Sequence, residues 1–361
     1  LKKLTALLTA LGMVAALSAC GSSAASSAVG DGNTADSAAA SNAAPAATEA
    51  AAPAEAGSTA ETAAADGDTY LIGICQLVQH NALDAATKGF KDALTEKLGD
   101  KVKFDEQNAA GDSATCATIC NQFVSSKVDL IMANATPALQ AATAATNSIP
   151  ILGTSVTDYG TALSIADWKG TTGTNVTGTA DLAPLDKQAE MIKTLFPDKK
   201  NVGILYCSAE PNSKYQSTEI TKYLTDAGYT CKEYTFADSN DVAAVTKTAC
   251  DESDVLYVPT DNTAASCAES INNIAEPAKV PIVAGESGIC TGCGVATLSI
   301  DYYDLGVVTG NMAYEVLVNG ADPATTEIQF APKTTYQYMA DRCEKLGVKV
   351  PSDYVAIEAE K

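Results

Sequence analysis

The chain has 361 residues, 46% of them hydrophobic but only 6% aromatic, and a formal net charge of −21 at pH 7. That charge repels nucleic acid and anionic lipid alike. Arg342 is the sole arginine, so an anionic ligand has to be met by hydroxyls, backbone N–H groups or lysine instead of a guanidinium fork.

Lys2 and Lys3 open an apolar run from Leu4 to Leu17 that closes on Leu17-Ser18-Ala19-Cys20. A basic start, a short apolar stretch and small residues before a cysteine form a secretory signal of the lipoprotein type. The run is too short for a hydrocarbon core about 30 Å thick, which needs roughly 20 apolar residues. The expectation is a removed signal over 1–19, lipid on Cys20, and a protein tethered to the extracytoplasmic face of the cell membrane. Residues 20–67 are mostly Ala, Ser, Thr, Gly and Pro with scattered acids and no base. Such a segment buries too little apolar surface to offset its ordering entropy and reads as a flexible spacer.

From Tyr70 the period alternates between strand and helix. The predicted elements are strand 70–78, helix 83–98, strand 102–105, helix 113–125, strand 128–133, helix 137–146 and strand 150–156. An irregular Gly/Thr-rich stretch at 158–178 follows and is the predicted crossover. The alternation then resumes with helix 183–196, strand 201–206, helix 213–227, strand 230–236, helix 241–250, strand 255–258, helix 264–275 and strand 281–284. The C-terminal part adds strand 295–300, helix 303–318, short strands at 327–330 and 335–339, and a helix near 341–346. Strands buried on both faces and joined by helices imply parallel sheets in an α/β fold with two Rossmann-like lobes. The predicted division is 68–158 plus 287–319 for the first lobe and 159–286 plus 320–361 for the second.

Ligands of such sheets bind beyond the C-terminal ends of the strands, in a cleft between the lobes. Polar residues gather there at Gln76 to Asn81, Asn134 to Pro137, Thr154 to Asp158, Cys207 to Ser213, Pro259 to Asn262, and Glu286 with Ser287. The stretches GICQLVQHNALDAATKGFKDAL, ATPALQAA, NVTG, VPTDNTAAS and SIDYYDLGVVTGNMAYEVL resemble, in that order, the substrate-binding lipoproteins of ABC importers in the tryptophan and tyrosine group. The resemblance covers nearly all of 70–347. It implies a periplasmic-binding-protein fold of the first type with three crossings at a hinge, no catalysis, no cofactor, and a permease and ATPase as partners. The chain departs from that pattern at Asn81, where proline is usual, and in the cysteine-rich GESGICTGCG.

A free amino acid needs donors for its carboxylate and a carboxylate for its ammonium group. Thr136 precedes Pro137 at a predicted helix start, where hydroxyl and orphan N–H groups converge; Thr154 and Ser155 would complete that cradle, and a plain helix cap is the alternative for Thr136. For the ammonium group Asp301 is favoured over Asp261 and Asp158, with helix capping the alternative for Asp301 and Asp261. Asn212, Ser213, Asp261 and Asn262 would close from the second lobe. Glu286, Gln76 and His80, the only histidine, are further candidates at strand ends. Trp168 fits a packed anchor or a stacking platform, and Tyr206 and Tyr302 lie near strand ends.

Ten cysteines follow Cys20. Cys290 and Cys293 fit a tight disulfide or free thiols, and with no second C-x-x-C and one histidine they do not make a structural zinc site. There is no G-x-S-x-G, H-E-x-x-H or Walker motif, and an enzyme is not expected. A sensor or adhesin using the same cleft, or a binder of sugars or nucleosides, remains an alternative.

Overall fold

The computed structural model describes residues 69–358. The signal segment, Cys20 and the spacer lie outside the described residues. In chain order the elements are β1 (Tyr70–Gln76), α1 (Asn81–Leu98), β2 (Val102–Asn108), α2 (Ser113–Ser126), β3 (Leu130–Asn134), α3 (Thr136–Ala145), β4 (Ile151–Val156), α4 (Tyr159–Leu163) and β5 (Val176–Ala180). Then come α5 (Leu185–Leu195), β6 (Asn201–Cys207), α6 (Pro211–Asp226), β7 (Thr230–Phe236), α7 (Val242–Glu252), β8 (Val255–Val258), α8 (Asn262–Ser266), α9 (Ala268–Ala278) and β9 (Ile282–Ala284). The chain ends with α10 (Ser287–Cys293), β10 (Ala296–Ile300), α11 (Tyr302–Asn319), β11 (Gln329–Phe330), β12 (Thr334–Tyr338), α12 (Ala340–Leu346) and β13 (Val355–Ala356).

Two sheets organise these elements. The first runs β11-β5-β4-β3-β1-β2 and its pairings are parallel. The second runs β13-β12-β10-β9-β8-β6-β7, parallel except where β12 meets β10. The chain therefore passes between lobes three times, after β5, after β10 and between β11 and β12. Helices cover the sheets: Phe123 of α2 and Leu139 of α3 are fully buried in one core, Ile220 and Leu224 of α6 in another. Burial of each such side chain contributes about 1.5–3 kcal/mol.

The lobe boundaries differ from the sequence expectation at three places, one of them β11, which the sequence reading put in the second lobe and which pairs with β5 in the first sheet. Residues 158–178 are not merely a crossover, because they contain α4 and lead into β5, which belongs to the first sheet. Its sequence, VTGTA, is buried at every position, so no polar alternation marks it as a strand. Gly178 is required there: its φ is +141° and a Cβ would lie 2.0 Å from the Gly153 carbonyl oxygen of β4. Conversely, α10 and β10, placed by the sequence reading in the first lobe, belong to the second sheet's lobe, and the crossing falls at Asp301. The predicted helix 264–275 is two helices, broken at Cys267.

The second crossing is anchored by a close helix pair. A Cβ on Gly306 of α11 would stand 2.1 Å from the Ala86 carbonyl oxygen of α1, and one on Gly89 would stand 2.1 Å from that of Tyr303. Only hydrogen allows the two backbones to approach this closely. The chain leaving the hinge is thereby fixed against the helix that follows the first strand.

Candidate ligand-binding cleft

Strand ends from both lobes meet across the cleft, and two residues there are held in unusual backbone conformations. Ala135, between β3 and α3, has φ 94° and ψ 158°, and Ser155 near the end of β4 has φ 54°. Strain of this kind in non-glycine residues is tolerated where surrounding structure dictates it, and it concentrates at functional sites. Here it sets Thr136 and Ser155 on neighbouring strand ends. Both side chains are buried, and the hydroxyl of each has no protein partner. The first turn of α3 adds N–H groups with no acceptor inside the helix.

Three more polar atoms in this region are buried and unpartnered: Asn134 Oδ1, Asn212 Oδ1 and His80 Nδ1. Asn134 Nδ2 is tied to the Leu83 carbonyl and to Thr87 Oγ1, at 2.9 and 3.0 Å. Asn212 Nδ2 is tied to Glu210 Oε2 and the Thr260 carbonyl, at 3.0 and 3.1 Å. Each amide thus has its nitrogen engaged and its oxygen left over.

Four buried carboxylates complete the electrostatics: Asp181, Glu210, Asp261 and Glu286. Asp181 follows β5 and accepts from Tyr302 Oη (3.0 Å) and Thr157 Oγ1 (3.3 Å). Burial pushes its carboxyl up to about 6, helped by the charge of Glu286 and opposed by those hydrogen bonds. Glu286 caps α10 by accepting from the Gly288 and Ile289 N–H groups; burial raises it, while His80 and the backbone donors oppose the rise. Asp261 is pushed up to about 8, first by burial and then by the Glu210 charge.

The lobes touch at named points. His80 Nε2 lies 3.2 Å from Asn262 Oδ1, and Gln216 of α6 donates to Thr157 Oγ1 at 3.1 Å. Beside these contacts a crevice of about 200 Å³ is walled by Leu77, Val78 and Pro137 on one side and Cys207, Ala209 and Glu210 on the other.

The residues read from the sequence divide accordingly. Thr136, Ser155, Asn212, Asn262, His80 and Glu286 come together at the cleft. Gln76 is spent inside the first lobe, donating to Asp84 and the Val78 carbonyl and accepting from Thr87. Thr154 hydrogen-bonds Thr179 and Thr309 in a buried hydroxyl trio below α11, since neighbouring side chains on a strand point to opposite faces. Asp158 caps α4 through the Thr161 N–H, and Asp261 with Ser213 builds its loop by accepting from Ser213 Oγ and from the Cys207 and Ala264 N–H groups, each at 2.7 Å. Asp301, the favoured partner for an ammonium group, is exposed and caps α11 through the Asp304 N–H at 3.0 Å. Sequence reasoning missed Asp181 and Gln216. Recognition of β5 would have placed Asp181 at a strand end.

The family model described as ABC transporter substrate binding protein matches residues 71–361. The chain belongs to this family. Its members bind solutes and are not enzymes. A tyrosine-binding protein of Clostridioides difficile (strain R20291) is 41% identical over 261 residues, 71% of this chain and 75% of that protein. A solved domain from Streptococcus pneumoniae in complex with L-Trp is 34% identical with a TM-score of 0.76, covering 79% of this chain and 97% of its own. A ligand-free, open substrate-binding protein with adhesive properties from Clostridium difficile is 36% identical with a TM-score of 0.62, covering 81% and 100%. At similar identity, the substrate-binding protein described here superposes better on the L-Trp complex than on the ligand-free, open structure. A myo-inositol-bound transporter protein from Bacillus halodurans, 15% identical with a TM-score of 0.57, shares the fold. The fold is the first type of periplasmic-binding-protein architecture.

Within this substrate-binding protein Trp168 is a packed anchor. It stacks on the buried Tyr159 at 6.4 Å between ring centroids, against the first-lobe core. Tyr206 is also core, whereas Tyr302 serves the hinge through Asp181. Cys290 and Cys293 are buried free thiols on α10, and no described group of His, Cys, Asp and Glu is placed to hold a metal.

Proposed function

We propose that the protein captures a free aromatic amino acid between its lobes and delivers it to an ABC permease and its ATPase. The observation that carries this reading is a pair of buried hydroxyls with no protein partner, Thr136 and Ser155, in a cleft that also holds buried carboxylates. Hydroxyl donors and a helix N-terminus stand at the ends of β3 and β4, and acceptors stand at Asn212, Asp181 and Glu286. An amino acid has the same polarity, with a carboxylate for the donors and an ammonium for the acceptors. Asp181 and Glu286 take the ammonium role that the sequence reading gave to Asp301. The aromatic side chain is supported by the tyrosine-binding relative and by the L-Trp complex of a second relative.

Buried carboxylates without a cation between them cost free energy. Inserting an ammonium group removes that cost only when both lobes surround it, so closure and ligand capture are coupled. Cys20 and the spacer fit a lipid-anchored, extracytoplasmic location, in which the binding lobes reach beyond the headgroups. Adhesion is a second reading, favoured by the adhesive properties of the open relative, and the same anchor would serve it. Thermal-shift and calorimetric screening with the twenty amino acids, common sugars and nucleosides tests the ligand class. In cells, Cys20→Ser should release the protein from the membrane fraction with binding intact; retention there would refute the anchor.

A further inference from the structure

The single histidine gains a definite role when the hydrogen bonds behind it are followed. Glu210 receives only donors. Asn212 Nδ2, the Asn262 N–H and Asn262 Nδ2 reach Oε2 at 3.0, 3.0 and 2.7 Å, and the Thr263 N–H and Oγ1 both reach Oε1 at 2.8 Å. A carboxylate surrounded in this way fixes the orientation of both amides, because a flipped amide would set its oxygen against the carboxylate. Asn262 must therefore present Oδ1 to the opposite lobe, where it meets His80 Nε2 at 3.2 Å. An oxygen with no proton demands a proton on Nε2. In the neutral imidazole the other nitrogen is then an acceptor, and His80 Nδ1 is buried with no protein partner.

We infer that His80 Nδ1 accepts a hydrogen bond from the ammonium group of the bound amino acid, and that Glu210, acting through Asn262, sets the tautomer that makes it an acceptor. Glu210 is a positioning residue in this scheme. The same carboxylate turns Asn212 Oδ1 outward, so one buried group orients two acceptors, one from each lobe. Glu286 neighbours His80, which sets a carboxylate beside the imidazole. Because the Asn262–His80 contact joins the lobes, the tautomer is fixed only on closure. The inference rests on the amino-acid reading of the cleft.

One histidine makes the test direct. Untagged protein labelled with [15N]histidine has a single pair of imidazole nitrogens, read by NMR at pH 8 without ligand and with L-tyrosine or L-tryptophan. In the complex Nε2 should carry the proton and Nδ1 should show the shift of an unprotonated nitrogen accepting a hydrogen bond. A proton on Nδ1 in the complex overturns the inference. His80→Ala should weaken binding about ten- to a hundredfold with the melting temperature of the ligand-free protein nearly unchanged, and Asn262→Ala should weaken binding and restore tautomer exchange in the complex. Wild-type binding with equal binding by His80→Ala sinks the inference alone; no wild-type binding of either amino acid sinks the reading beneath it as well.

Discussion

Thr136 does two things at once, since it begins α3 and presents a buried, unpartnered hydroxyl to the cleft. Its side chain caps nothing in α3, so Thr136→Ala should leave the melting temperature nearly unchanged. A lost donor to a charged group costs about 1.5–3 kcal/mol of binding, roughly ten- to a hundredfold in Kd. Calorimetry with an unchanged Kd would remove Thr136 from the cradle. Asp181 adds a pH signature. Its folded value, about 6, lies above the ordinary 3.8, so its contribution to stability is fully present below 3.8 and is lost as pH rises through 6. An ammonium group favours the charged form, so below 6 binding must expel a proton. Affinity should fall between pH 7 and pH 5, and Asp181→Asn should bind weakly and flatten the profile. An unchanged profile in that variant would place the ammonium elsewhere.

At the scale of elements, α10 links an outer helix to the cleft. Arg342 of α12 donates to the carbonyls of Cys290, Gly294, Thr291 and Gly292, at 2.9, 2.6, 3.0 and 3.2 Å, where the helix ends, and Glu286 caps its start. A cation at a helix C-terminus answers both its orphan carbonyls and its dipole. Arg342→Met should leave these buried carbonyls unpaired and lower stability by about 3 kcal/mol or more; a melting temperature within a degree of wild type would contradict this role. The Cys-rich loop that departs from the family pattern is thus the acceptor shell of the lone arginine. None of this was legible in the sequence, because α10 is short and its partner lies 52 residues away. By contrast, strands flanked by helices were legible: β6, β7 and β8 start where expected, and β7 and β8 also end there. Strand β5 was not, for its Thr and Gly residues suit a loop as well as a buried strand.

For the whole molecule, the two-lobe architecture followed from alternating periodicity, while the partition of residues between lobes did not. Sheet membership depends on which strands pair, and pairing of β5 with β4 or of β10 with β9 is invisible to a local pattern. The same limit decided the site. Strand ends located the cleft, and Thr136, Ser155, Asn212 and His80 lie at those ends, while Asp301 sits at a strand end that opens outward at the hinge. In the proposed function the closed lobes recognise both charges of an amino acid. Calorimetric titration with L-tyrosine and L-tryptophan, beside their N-acetyl derivatives, tests it most directly. Binding of at least one free amino acid is expected, with a loss of at least about a hundredfold on N-acetylation, which removes the cation. Equal affinity for the acetylated ligand, or a response only to sugars or nucleosides, would contradict it.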